Sequence, residues 1–196
     1  MKRSSRAVLA TSAAVALTGL GVAPAAAGSD DPKPNEPAPA WEHIDDRYYF
    51  PAWSACKDKI KVHEKYKYRL TILKENDNHA KLREEIHGWA KFYNPKTHKW
   101  VKMPIHETAY IHENRKNATA KITDHGVGYW QGPGIKGIVF VKGKIVVKAS
   151  NVDNLDKLNL DIKKIHGHSK QLCYKLGSKP VNGKLVLPPS AQQPPA

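Results

Sequence analysis

Beyond residue 27 the chain has no apolar run long enough to cross a bilayer. It has only two cysteines, and its 18 acidic residues are far outnumbered by 32 lysines and arginines. Each shortage excludes something. A membrane span needs ~20 consecutive apolar residues, so none is expected in the body of the protein. Cys56 and Cys173 lie in no C-x-x-C arrangement and beside no histidine, so a catalytic thiol is not expected. There is no G-x-S-x-G elbow, no H-E-x-x-H helix and no G-x-x-x-x-G-K-[ST] loop, which removes the usual hydrolase and phosphate-cradling signatures. The run Gly126-Val127-Gly128 has G-x-G spacing but no third glycine in place and no following helix, so it reads as a turn. No RNP sequence or zinc finger is present, and no specific nucleic-acid recognition is expected.

The first 27 residues stand apart. Lys2, Arg3 and Arg6 form a basic head, Ala7 to Val22 are apolar or small, and Ala25-Ala26-Ala27-Gly28 supplies small residues for cleavage. That order is the pattern of a secretory signal peptide cleaved near Ala27, so a secreted, extracellular protein is expected. In an oxidising compartment the Cys56 and Cys173 thiols should form a disulfide closing the domain from its beginning to its end.

Charge is unevenly placed. The whole chain carries +14, and the signal segment holds three of the cations. Residues 28–46 are rich in proline and acid (Asp30, Asp31, Glu36, Glu42, Asp45 and Asp46 against Lys33 alone) and read as an extended linker. Residues 47–187 read as one basic domain, and 188–196 as a disordered proline and glutamine tail. A basic body outside a cell points to anionic partners such as wall polymers or acidic polysaccharide.

The clearest local pattern has a period of two. Ile60, Val62, Tyr66, Tyr68, Leu70 and Ile72 fall on one side, with Lys59, Lys61, His63, Lys65, Lys67 and Arg69 on the other. Such alternation is that of a strand buried on one face and wet on the other. Glu64 interrupts the apolar series, which predicts a bend or hairpin around residues 63–65. Further strands are expected over 89–93 and 99–106, joined by the turn cluster Asn94-Pro95-Lys96-Thr97-His98. Others are expected over 118–123, before a loop at 124–126, and over 137–148, where Gly143 marks a bulge or turn. A last strand is expected over 158–165, followed by a single helical turn within 169–176. The expected fold is therefore all-β: one antiparallel sandwich or barrel-like domain closed by one disulfide.

Cys56 with its following strand, Phe92-Tyr93-Asn94-Pro95-Lys96-Thr97-His98-Lys99, Gly137-Ile138-Val139-Phe140, Gly143-Lys144-Ile145-Val146-Val147 and Leu172-Cys173-Tyr174-Lys175-Leu176 resemble small secreted β-sandwich proteins of actinobacteria. The group has no assigned activity, so the resemblance implies fold and export but no chemistry.

Candidate chemistry divides three ways. Lys59, Lys61, Lys65, Lys67 and Arg69 on one strand face would repeat their charge about every 7 Å, which suits a polyanion. Tyr129 and Trp130, beside Gly132-Pro133-Gly134, are candidates for stacking on a glycan. Glu84, Glu85 and Glu107 are candidates for a wall-directed hydrolase. His166 and His168 are close in sequence but flanked by Lys163, Lys164 and Lys170, so no metal or other cofactor is expected. The leading expectation is a non-enzymatic module that binds an anionic polymer. A hydrolase and a secreted protein-binding inhibitor are the alternatives.

Overall fold

The computed structural model describes residues 39–186 and Pro188. The expected signal segment 1–27, most of the expected linker and the tail beyond Pro188 lie outside the described residues. Seven strands form one antiparallel sheet in chain order: β1 (Glu42–Phe50), β2 (Ile60–Glu75), β3 (His79–Asn94), β4 (Lys99–Asn114), β5 (Thr119–Trp130), β6 (Val139–Ser150) and β7 (Asn159–Gln171). A one-turn helix, α1 (Leu172–Lys175), carries Cys173. The linker is shorter than its composition suggests. Residues 42–46 belong to β1, where Asp46 lies opposite Glu64 and Glu42 accepts a 2.6 Å hydrogen bond from the Tyr68 hydroxyl.

The hairpins are built locally. Asn76 accepts from the backbone N–H groups of Asn78 and His79, Asn94 from that of Lys96, and Asn114 from that of Asn117. An asparagine at a strand end thus reverses the chain with its own side-chain carbonyl. Pro104 of β4 has no N–H to give a ladder, and it lies past the end of β4–β5 pairing, which stops at His106.

A single sheet has no second layer to cover it, so it buries one face only by curling on itself. Of the two arrangements the strand pattern permits, the structure adopts the barrel-like one. Tyr129 of β5 reaches across the interior to Tyr48 of β1, hydroxyl to hydroxyl at 3.5 Å, and meets Phe92 of β3 edge-on at 4.8 Å. Two apolar clusters fill the inside: one around Phe50, Ile60, Phe92 and Leu176, the other around Ile111, Ile122, Ile145 and Val147. At one end the Cys56–Cys173 disulfide ties the β1–β2 loop to α1, across a sequence separation of 117 residues. The chain entropy it removes from the unfolded state is worth up to about 5 kcal/mol. The segment after α1 stitches both neighbouring loops: Val181 donates to Ala55, Gly137 to Val181 and Lys184 to Ser54.

A row of glycines crosses the last three strands. Gly126, Gly143 and Gly167 lie directly opposite one another on β5, β6 and β7. Their φ angles are +134°, +134° and +121°, a region open to glycine and strained for any other residue. This overturns three expectations. Residues 124–128 form neither loop nor turn but lie inside the continuous β5. Gly143 is neither bulge nor turn, for the β6–β7 register shifts only between Val146 and Val147. No bend or hairpin occurs at 63–65 either, because β2 runs unbroken and Glu64 points inward with its apolar neighbours.

A Cβ at position 126 would fall 1.9 Å from the His106 carbonyl oxygen. Gly126→Ala is expected to cost more than about 2 kcal/mol, read as a fall in the urea midpoint of unfolding.

Candidate functional site

Alternation along β2 places Lys61, His63, Lys65, Lys67 and Arg69 on the outer surface, with Lys59 just before the strand. Cross-strand register then decides what stands beside each. One row reads Tyr49, Lys61, Tyr93 and Trp100 across β1 to β4. The next reads Arg47, His63, Lys91 and Lys102, and the next Asp45, Lys65, Trp89 and Pro104. Aromatic rings and ammonium groups are thereby interleaved.

The Lys59 ammonium lies 3.8 Å from the Tyr49 ring centre, and Lys61 bridges Tyr49 and Tyr93 at 5.9 and 6.0 Å. Lys67 sits 4.6 Å from the Trp41 ring, Lys91 5.2 Å from Trp100 and Lys102 4.3 Å from Trp89. Each contact contributes roughly 0.5–1 kcal/mol at an exposed site and, more usefully, fixes a flexible lysine in place. Trp100 and Tyr49 stay open to solvent, 60% and 44% exposed.

Not every cation of β2 is available. Arg69 grips Glu85 with two hydrogen bonds, at 2.7 and 3.1 Å, and Arg83 shares the same carboxylate at 2.9 Å. The Arg69 hydrogen bond holds the Glu85 carboxyl below the usual range, so Arg69 is spent within the sheet. Lys65 lies 3.6 Å from Asp45, whose pKa is lowered chiefly by a hydrogen bond from His63. Lys59, Lys61 and Lys67 have no ion-pair partner among the described residues. The cationic face expected from β2 alone is therefore Lys59, Lys61 and Lys67, joined by Lys91 and Lys102. Those two belong to strands whose own alternation (Trp89, Lys91, Tyr93; Trp100, Lys102) carried the signal.

Tyr129 and Trp130 are not on the surface. Both are buried, 0% and 3% exposed, so neither ring can stack on a glycan.

The hydrolase carboxylates do not converge on a cleft. Glu85 faces outward in its arginine pair, whereas Glu84 and Glu107 are buried inside. With Asp46, Glu64 and Asp124 they form an internal acidic belt, and no buried lysine, arginine or histidine accompanies them among the described residues. On β3 and β4 the acids fall between the two apolar clusters. Glu64 accepts a hydrogen bond from the Tyr129 hydroxyl, and burial raises its pKa well above normal. Asp124 accepts from the Trp130 indole at 3.3 Å and is pushed up to about 6, chiefly by burial. Glu107 fills the space over Gly128, where a Cβ would come within 1.6 Å of its Oε1.

Histidines give one close pair. His87 and His106 share a 3.0 Å contact between their Nδ1 atoms, and burial lowers the pKa of His87. His166 and His168 are exposed on β7, opposite Lys144 and Lys142. Among the described residues no three His, Cys, Asp or Glu side chains are arranged to hold a metal.

The chain matches no protein-family model, no curated protein and no solved structure. Its function is therefore read from this geometry.

The acidic belt sets a pH dependence. An acid whose folded pKa lies above its unfolded value favours the fold while protonated, and that stability is lost as pH rises through the folded pKa. For Asp124 the window runs from about 4 to about 6, and Glu64 extends it upward. Asp45 and Glu85, with lowered pKa values, act oppositely and add stability above about pH 4. The urea midpoint is expected to fall as pH rises from about 4 to about 6, and Asp124→Asn to flatten that part of the fall.

Proposed function

We propose that the chain is an exported, non-enzymatic β domain that binds an acidic extracellular polysaccharide through the outer face of β1–β4. One observation carries the reading: the exposed rings of Tyr49 and Trp100 and the half-buried Trp89 alternate with ring-held lysines across neighbouring strands, at Lys59, Lys61, Lys91 and Lys102. A uronic acid presents both surfaces such a face recognises. Its ring offers C–H groups to an indole, and its carboxylate accepts from an ammonium. Neutral sugar would leave the lysines idle, and a simple anion would leave the rings idle. The signal-like segment 1–27 and the disulfide support export, since disulfides persist in oxidising surroundings.

Binding to a soluble polyuronate tests this by calorimetry at two salt concentrations. The triple variant Lys59→Gln, Lys61→Gln and Lys67→Gln should weaken binding roughly tenfold, about 1.4 kcal/mol, and reduce its salt dependence. Trp100→Ala should weaken binding while leaving the salt dependence intact. Absence of binding at low salt, or binding indifferent to both changes, removes the proposal.

A further inference from the structure

The outer surface carries a second cationic array, away from the aromatic face. Strand register sets Lys74 of β2 against Lys81 of β3, then His112 of β4, Lys121 of β5 and Lys148 of β6, and ends at Asp161 of β7. Neighbouring strands lie about 4.8 Å apart, so the five side chains from Lys74 to Lys148 span roughly 20 Å in a line across the strands. All five are exposed. Like charges directly opposite one another destabilise a sheet, which makes such a row costly unless something answers it.

No acid or ring among the described residues answers it. Among the described residues none of the four lysines has an ion-pair partner and none of their ammonium groups lies over an aromatic ring. The single acid of the row, Asp161, is engaged by Lys163. His112, Lys121, Lys148 and Lys163 rim an open depression of about 430 Å³ over Val146 and Val147. Beneath it lies the register shift of the β6–β7 ladder. Burial first, then Lys81 and Lys121, lowers the pKa of His112, so the imidazole senses the charges around it.

We propose that this row is a second binding site, for a linear phosphate polymer laid across the strands. The make-up of the row favours that class. Every strand from β2 to β6 contributes one cation or titratable group, and a chain with phosphate charge at short, regular intervals meets them in succession. A polyuronate also offers sugar-ring faces, which find no partner here. The row contains no Trp, Tyr or Phe, and Tyr110, one row away, stands edge-on to His125. The site is independent of the β1–β4 face and stands if that reading fails.

The test uses the whole chain and long-chain inorganic polyphosphate. Binding is expected at 50 mM salt and should weaken at least tenfold by 200 mM, as several released counterions require. Lys121→Gln with Lys148→Gln should weaken it at least fivefold, leave polyuronate binding unchanged, and hold or raise the thermal midpoint because repulsion is removed. Polyphosphate should raise the His112 pKa, followed by NMR titration. The proposal is overturned by absence of binding at 50 mM salt, by equal affinity of the double variant, or by equal competition from a polyuronate of the same length. Equal weakening by Lys61→Gln with Lys67→Gln would place the phosphate chain on the aromatic face and also overturn it.

Discussion

A lone antiparallel sheet has two faces and only itself to cover one of them. That constraint organises this molecule. The seven strands pair strictly in order, so the core exists only because the sheet bends far enough for Tyr129 of β5 to touch Tyr48 of β1. Gly126, Gly143 and Gly167 line up across β5, β6 and β7 at φ values that a side chain would resist. The disulfide and the segment around Val181 then secure one end, joining the β1–β2 loop to α1 and the chain beyond it.

Curling sorts the charge. Inside, five carboxylates share the interior with tyrosines and a tryptophan and with no buried cation among the described residues. Burying ionised carboxylates is expensive, and burial raises the pKa of Glu64 and Asp124. Outside, the cations gather into rows set by strand register. On β1–β4 the rows are threaded with aromatic rings, and on β2–β6 one row is nearly all lysine. The two arrays differ in what they offer a ligand: rings and charge in one, charge alone in the other.

Much of this was legible from alternation. The outward direction of Lys61, Lys65 and Lys67 follows from a period of two, since a strand has only two faces. The same rule failed at Glu64, where a charge in the apolar series suggested a break, although a neutralised carboxyl can occupy an inward position. It failed again at Tyr129 and Trp130, because glycines inside a strand and glycines in a turn have the same composition. Arg69 looked free because its partner Glu85 is 16 residues away and meets it only through β2–β3 register. The first strand was missed because Glu42, Asp45 and Asp46 resemble a linker until Tyr68, His63 and Lys65 are beside them.

By itself, then, the sequence determined the all-β class, the inward and outward sides of β2, and the disulfide, since two cysteines in one domain permit one pairing. These are local or combinatorial properties, carried by side-chain periodicity and by number. Tertiary structure alone decided which lysines keep their charge, which rings remain exposed and which cations stand in line. Those outcomes depend on the relative register of strands far apart in the chain. A one-residue slip would reassign every neighbour without changing a single letter.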